Sequence, residues 1–215
     1  MKDVKPLPDF LVNGYRNWKS ESYAKKQGFF HELAGGQSPK TMVITCSDSR
    51  LLPSELFNAG EGELFMQRNV ANLIPPYVED GSTQATPASI QYAVTALKIP
   101  HIVVMGHSGC GGVLGCDAMC SGAAENLRGN DSFVGRWLEI LRPGYERVKH
   151  IEDQSARIAA LEKQAVIVSL ENLMGFPFVQ EAMNNGTLSL HGLWHNIGEG
   201  VIEYYDDATG EFQPV

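Results

Sequence analysis

Short apolar runs that alternate with helix-like stretches constrain this chain most. TMVIT at 41–45, ELFMQ within GELFMQRN at 62–69, and HIVVMGH at 101–107 are strand-length and mostly apolar. Between them lie PSELFNA (53–59) and TQATPASIQYAVTALK (83–98), which read as helices, the first with Pro53 in its opening turn. GCGGVLGC (109–116) opens another helix. Strand–helix–strand alternation predicts a mostly parallel sheet covered by helices, the α/β class. Residues 131–184 read as helices, including FVGRWLEIL and IEDQSARIAALEKQAVIVSLENLMGF. LSLHGLWHNI and EGVIEYYDD read as a hairpin added at the sheet edge, which makes the sheet mixed.

Ahead of the first strand, Leu11, Tyr15, Trp18, Phe29, Phe30 and Leu33 recur at roughly helical spacing over residues 8–33. The expectation is a helical arm of residues 1–35, broken from the rest by AGGQSPK (34–40), within a single domain of 1–215. The formal charge of −8 disfavours a nucleic acid or an anionic membrane as partner. No apolar run approaches the roughly 20 residues of a membrane span, and MKDVKPLPDFLVNGYRNW lacks a secretory apolar core. A cytoplasmic location with reduced cysteines is therefore expected.

The chemistry sits at the strand ends. In open α/β sheets, ligands gather beyond the carboxyl ends of the strands. TMVIT runs into Cys46, Asp48 and Arg50, and HIVVMGH ends in His107, three residues before Cys110. That spacing, about one helical turn, lets His107 and Cys110 face one point. Two thiolates and an imidazole favour zinc over magnesium or calcium. Three protein ligands leave one tetrahedral position open, the pattern of a catalytic zinc. His191 and His195 are four apart on a strand, about 13 Å, which is too far to share a metal, so packing is expected for both. Cys116 and Cys120 read as packed thiols.

CSDSR followed by GHSGCGG, with GELFMQRNVANLIPPY and SIQYAVTALKIPHIVVMGH between and into them, resembles the β-class carbonic anhydrases. The similarity is strongest from Gln37 to Gly115. It implies one zinc per chain on Cys46, His107 and Cys110, with Asp48 and Arg50 as a catalytic dyad. Gln37 matches a substrate-binding glutamine of the plant-type subclass. Position 43 is Val, with no match to the tryptophan of the allosteric subclass, so the plant-type subclass is expected. Phe65, Val70 and Tyr92 match apolar pocket residues, and Gly111 a backbone donor. GRWLEILRP and the C-terminal stretch resemble bacterial members. The family further implies a homodimer or a multiple of dimers, each site finished by the partner subunit and the arm docked on it.

The reaction implied is reversible hydration of carbon dioxide to bicarbonate and a proton. Zinc hydroxide attacks the carbon, Asp48 aims its lone pair, and Arg50 keeps Asp48 ionised and away from the metal. Hydrolysis of carbonyl sulfide or carbon disulfide would need the same ligands, and a non-catalytic zinc or bicarbonate sensor is the reading from another class. Asp48 and Arg50 argue against lost catalysis.

Overall fold

β1 (Thr41–Cys46) lies between β2 (Leu64–Asn69) and β3 (His101–His107) and runs parallel to both. β4 (Ser189–Asn196) adds to β3, again parallel. β5 (Val201–Asp206) then turns back antiparallel, and β6 (Glu211–Pro214) pairs with it. The order is β2-β1-β3-β4-β5-β6, a mixed sheet as expected, with a sixth strand that the sequence reading lacked. The computed structural model describes residues 4–79, 84–129 and 131–215. They divide into two units, one ending at Ser38 and the other Pro39–Val215.

Both faces of the parallel strands are covered, so their side chains alternate between two cores. Met42, Ile44, Ile102 and Val104 join Ile90, Leu173 and Val179 on one side. Val43 and Met105 join Val113, Met119, Leu138 and Leu161 on the other. Each fully buried aliphatic side chain of this size contributes roughly 1.5–3 kcal/mol.

The helices are α3 (Pro53–Leu56), α4 (Ala85–Gln91), α5 (Gly111–Ser121), α6 (Phe133–Leu138), α7 (Arg142–Val148), α8 (Gln154–Met174) and α9 (Pro177–Asn184). PSELFNA thus yields a single turn. α4 widens into a π-turn at Tyr92–Ala96, and residue 83 of its expected span lies outside the described residues. α8 is capped by Asp153, whose Oδ1 accepts from Ala156 N at 2.8 Å. It crosses β3 and β4 where they carry glycine. A Cβ on Gly106 would stand 2.8 Å from Val166, and one on Gly192 3.0 Å from the same side chain. The missing side chains let α8 approach the strands, and Glu162, one turn before Val166, comes in with it.

The first unit holds α1 (Asp9–Trp18), which continues as a π-turn (Lys19–Tyr23), and α2 (Gln27–Leu33). Trp18, Tyr23 and Phe30 pack together with ring centroids 5.2–5.5 Å apart. Phe10, Leu11, Tyr15 and Phe29 remain exposed. No helix among the described residues is long and apolar enough to cross a membrane.

Candidate metal centre

The parallel register of β1 and β3 brings their carboxyl ends level, with Thr45 opposite Met105. Cys46 closes β1 and His107 closes β3. Cys110 is not one helical turn from His107, as the spacing suggested. The strand ends, Ser108 and Gly109 make a turn with Gly109 at φ +66°, and Cys110 caps α5. Glycine suits that left-handed turn because a Cβ is disfavoured there. The turn points Cys110 back at the two strand ends.

The ligand atoms of Cys46, His107 and Cys110 lie within 4.8 Å of one another, and all three residues are buried. The two sulfurs are 3.8 Å apart. His107 Nδ1 is 3.0 Å from Ser108 O, a carbonyl that can only accept, so Nδ1 carries the proton. That leaves Nε2 with a lone pair, buried and without a hydrogen-bond partner among the described residues. An orphaned imidazole nitrogen facing two converging thiols is a donor set that fits zinc. The thiols share charge. Cys46 is pushed down chiefly by the hydrogen bond from Cys110, whereas the Cys110 proton is held by the neighbouring Cys46 and by burial. A divalent cation would replace both protons.

Asp48 Oδ2 stands 3.9 Å from His107 Nε2. Arg50 donates to it from two sides, Nε to Oδ1 at 2.9 Å and Nη2 to Oδ2 at 2.6 Å, and its backbone N–H adds a third bond to Oδ1 at 3.0 Å. These bonds hold the Asp48 carboxyl well below the usual carboxylate range.

Two residues that the sequence reading passed over brace the loops. Arg68 donates to Cys46 O at 3.0 Å and to Asp48 O at 2.7 Å. Its signal was a cation inside a strand-like run. Glu162, buried in α8, accepts from Gly109 N at 2.6 Å and Cys110 N at 3.2 Å through Oε1, and from Trp194 Nε1 at 3.3 Å through Oε2. Burial pushes its carboxyl up, and the three N–H donors oppose that shift. Its signal was an acid one turn before Val166 on an apolar helix face.

The other expected residues fall in three places. Val70 lies against the start of α5, where a Cβ on Gly112 would meet its Cγ1 at 2.7 Å, and the space beside Gly111 is open. Phe65 and Tyr92 pack on each other with centroids 6.0 Å apart. Phe65 is opposite Met42, four residues and about 13 Å back along the strand from the level of Cys46. Gln37 belongs to the first unit, exposed in the stretch between α2 and β1. His191 meets His101 at 3.2 Å, while His195 pairs in register with His107, so the two histidines of HGLWH do not share a metal. Cys116 and Cys120 pack with their sulfurs 3.9 Å apart.

A family model described as carbonic anhydrase matches residues 41–202. Beta carbonic anhydrase 3 of Arabidopsis thaliana is 34% identical over 202 residues, covering 91% of this chain and 76% of its own. The solved β-carbonic anhydrase CcaA is 30% identical, with a TM-score of 0.86 over 95% of this chain and 98% of its own. Tetrameric β-carbonic anhydrases from Sordaria macrospora superpose with a TM-score of 0.75 at 30% identity, covering 91% of this chain and 94% of theirs.

Proposed function

The chain belongs to the β-class carbonic anhydrases, and from that membership we propose that it hydrates carbon dioxide reversibly at one zinc ion per chain, held by Cys46, His107 and Cys110. The observation that carries this reading is the buried His107 Nε2, without a hydrogen-bond partner among the described residues, beside two sulfurs 3.8 Å apart. A zinc ion held there supplies the Lewis acidity that makes water a nucleophile near neutral pH. The remaining chemistry belongs to the chain. Asp48 accepts a hydrogen bond from the attacking water and so aims a lone pair at the carbon of carbon dioxide. Arg50 keeps that carboxylate ionised and turned aside from the ligands. Val70 offers an apolar wall, which suits a nonpolar substrate. Gly111, first in α5, has an N–H that the helix itself leaves unsatisfied, and its proposed role is to donate to an oxygen of the bicarbonate product.

Gln37, Phe65 and Tyr92 are assigned to the partner subunit's site in a homodimer or a multiple of dimers. Two facts support this. Phe65 is set back about 13 Å along β2 from its own chain's ligands, and Tyr92, packed on it, is half exposed. The exposed apolar residues of the arm, Phe10, Leu11 and Tyr15, suit docking on that partner. The proposed compartment is the cytoplasm, where thiols stay reduced.

A stopped-flow pH-indicator assay with carbon dioxide, together with a zinc count per chain, tests the reading. One zinc and rapid acidification are expected. Tightly bound zinc without hydration of carbon dioxide would leave a sensor, and turnover of carbonyl sulfide alone would make the chain a hydrolase.

A further inference from the structure

We propose that Glu162 is a positioning residue of the metal centre, one that fixes the Gly109–Cys110 peptide and couples it to the Asp48–Arg50 pair. The proposal rests on the zinc reading above. Glu162 is 3% exposed, and among the described residues its carboxylate forms no ion pair. Every group that bonds it is an N–H: those of Gly109, Cys110 and the Trp194 indole. Two of the three are consecutive backbone amides at the left-handed turn of Gly109. Such a pair forms a concave cradle for an anion, and Glu162 Oε1 occupies it. The N–H of a candidate ligand residue, Cys110, is therefore tied to α8.

Gly109 carries this restraint further. Its N–H goes to Glu162, and its carbonyl accepts from Arg50 Nη2 at 2.9 Å. The peptides flanking Gly109 are thus held between a buried anion and the guanidinium that grips Asp48. α8 can reach this close because Gly106 and Gly192 carry no side chain where Val166 packs. A carboxylate suits the position because it only accepts. An amide in its place would satisfy the two loop N–H groups with its oxygen and then turn its own NH2 on the Trp194 N–H, or the reverse. In either orientation donors face donors.

The test loads the metal-free protein with Co2+ and reads the thiolate-to-cobalt absorption, and measures Zn2+ affinity by competition with a chromophoric chelator. Glu162→Gln is expected to bind Zn2+ about tenfold more weakly and to alter the cobalt spectrum. Glu162→Gln combined with Trp194→Phe removes the opposing indole N–H, and should regain most of both. Asp117→Asn alters another buried carboxylate, on α5 and paired with Arg157, and should match the wild type in both readouts. Wild-type affinity and spectrum in Glu162→Gln would overturn the proposal. So would a double variant worse than the single one, since a merely structural carboxylate would lose further from the smaller ring. If Glu162→Gln does not fold, Glu162→Asp keeps the charge but draws it back by one methylene, and is read in the same way. Absence of the thiolate-to-cobalt band in the wild type would overturn the zinc reading itself. Its presence there, unchanged in the variant, overturns only the role of Glu162.

Discussion

Arg50 and Gly109 are joined across the two loops of the site: the Nη2 that donates to Asp48 Oδ2 at 2.6 Å also donates to Gly109 O at 2.9 Å. One guanidinium nitrogen thus ties the segment after β1 to the segment after β3. The carboxylate and the Cys110 turn are positioned together.

Asp48→Asn should keep its zinc and lose about 10²-fold in carbon dioxide hydration. The amide no longer pairs as an anion with Arg50, and it can present an N–H where the attacking water needs an acceptor. Metal analysis and stopped-flow rates read the two effects separately. Unchanged turnover between about pH 7 and 9, spanning the ordinary working range, would reduce Asp48 to a loop residue.

Arg50→Gln tests the ionisation of Asp48. The folded carboxyl lies below its unfolded value of about 3.9, chiefly through the Arg50 hydrogen bonds. Such a group adds stability above the unfolded value, and that stability is lost as pH falls through the folded one. The Arg50 side chain is 53% exposed, so water screens the pair and the stability share is small. In the variant the carboxyl returns toward its ordinary value of about 3.9, still ionised near neutral pH, so the acid limb that tracks its protonation, below about pH 5, should move to higher pH. A pH–rate profile whose acid limb stays in place contradicts this.

Cys46→Ser and His107→Ala should each lose zinc and activity together. A hard hydroxyl replaces a soft thiolate in the first, and the second leaves a ligand position vacant. One tightly held zinc per chain in either variant would break the three-ligand assignment.

Gly112→Ala should destabilise the protein by about 1–3 kcal/mol. Its Cβ would stand 2.7 Å from Val70 Cγ1 and 2.9 Å from Ala71 Cβ, and neither neighbour sits on a flexible side-chain end. Denaturant unfolding measures the loss. Equal stability would show that the start of α5 yields freely.

The parallel strands, and the meeting of Cys46, His107 and Cys110 at their ends, were legible because the apolar runs are short and two of them end in a thiol and an imidazole. The backbone between His107 and Cys110 was not, since a spacing of three fits a helical turn as well as a strand end, a turn and a cap. Ala71 gave no warning of its φ of +62°, because alanine seldom adopts that conformation. β6 was missed because EFQP is four residues long and ends in proline. Arg68 and Glu162 could be suspected only as charges in apolar settings. Their partners are backbone groups, which a side-chain pattern does not show.

Mixing Gln37→Ala with Asp48→Ala chains, then unfolding and refolding them together, should restore activity. Each variant alone is expected to be nearly inactive. If Gln37 serves the partner's site, one site of every mixed dimer is whole and the other carries both lesions. Random pairing makes about half the dimers mixed, so recovery should approach about a quarter of wild-type activity. Mixed dimers confirmed by mass spectrometry, yet inactive, would place Gln37 in its own chain's site or in none.

The register of β1 on β3 also sets a timetable. Thr45 Oγ1 donates to Met105 O across 60 residues of chain, and the two cysteine sulfurs meet across 64. At about 5–20 residues per second, Cys46 leaves the ribosome seconds before His107 and Cys110. Parallel pairing over such a separation is slow, because the intervening loop must close before any contact rewards it. Until then Cys46 is a lone thiol on a nascent chain, open to oxidation or to stray metals. A metal held by Cys46, His107 and Cys110 together could be captured only after that pairing, and the pairing of β3 with β4 spans a longer separation still, 88 residues from His101 to Ser189.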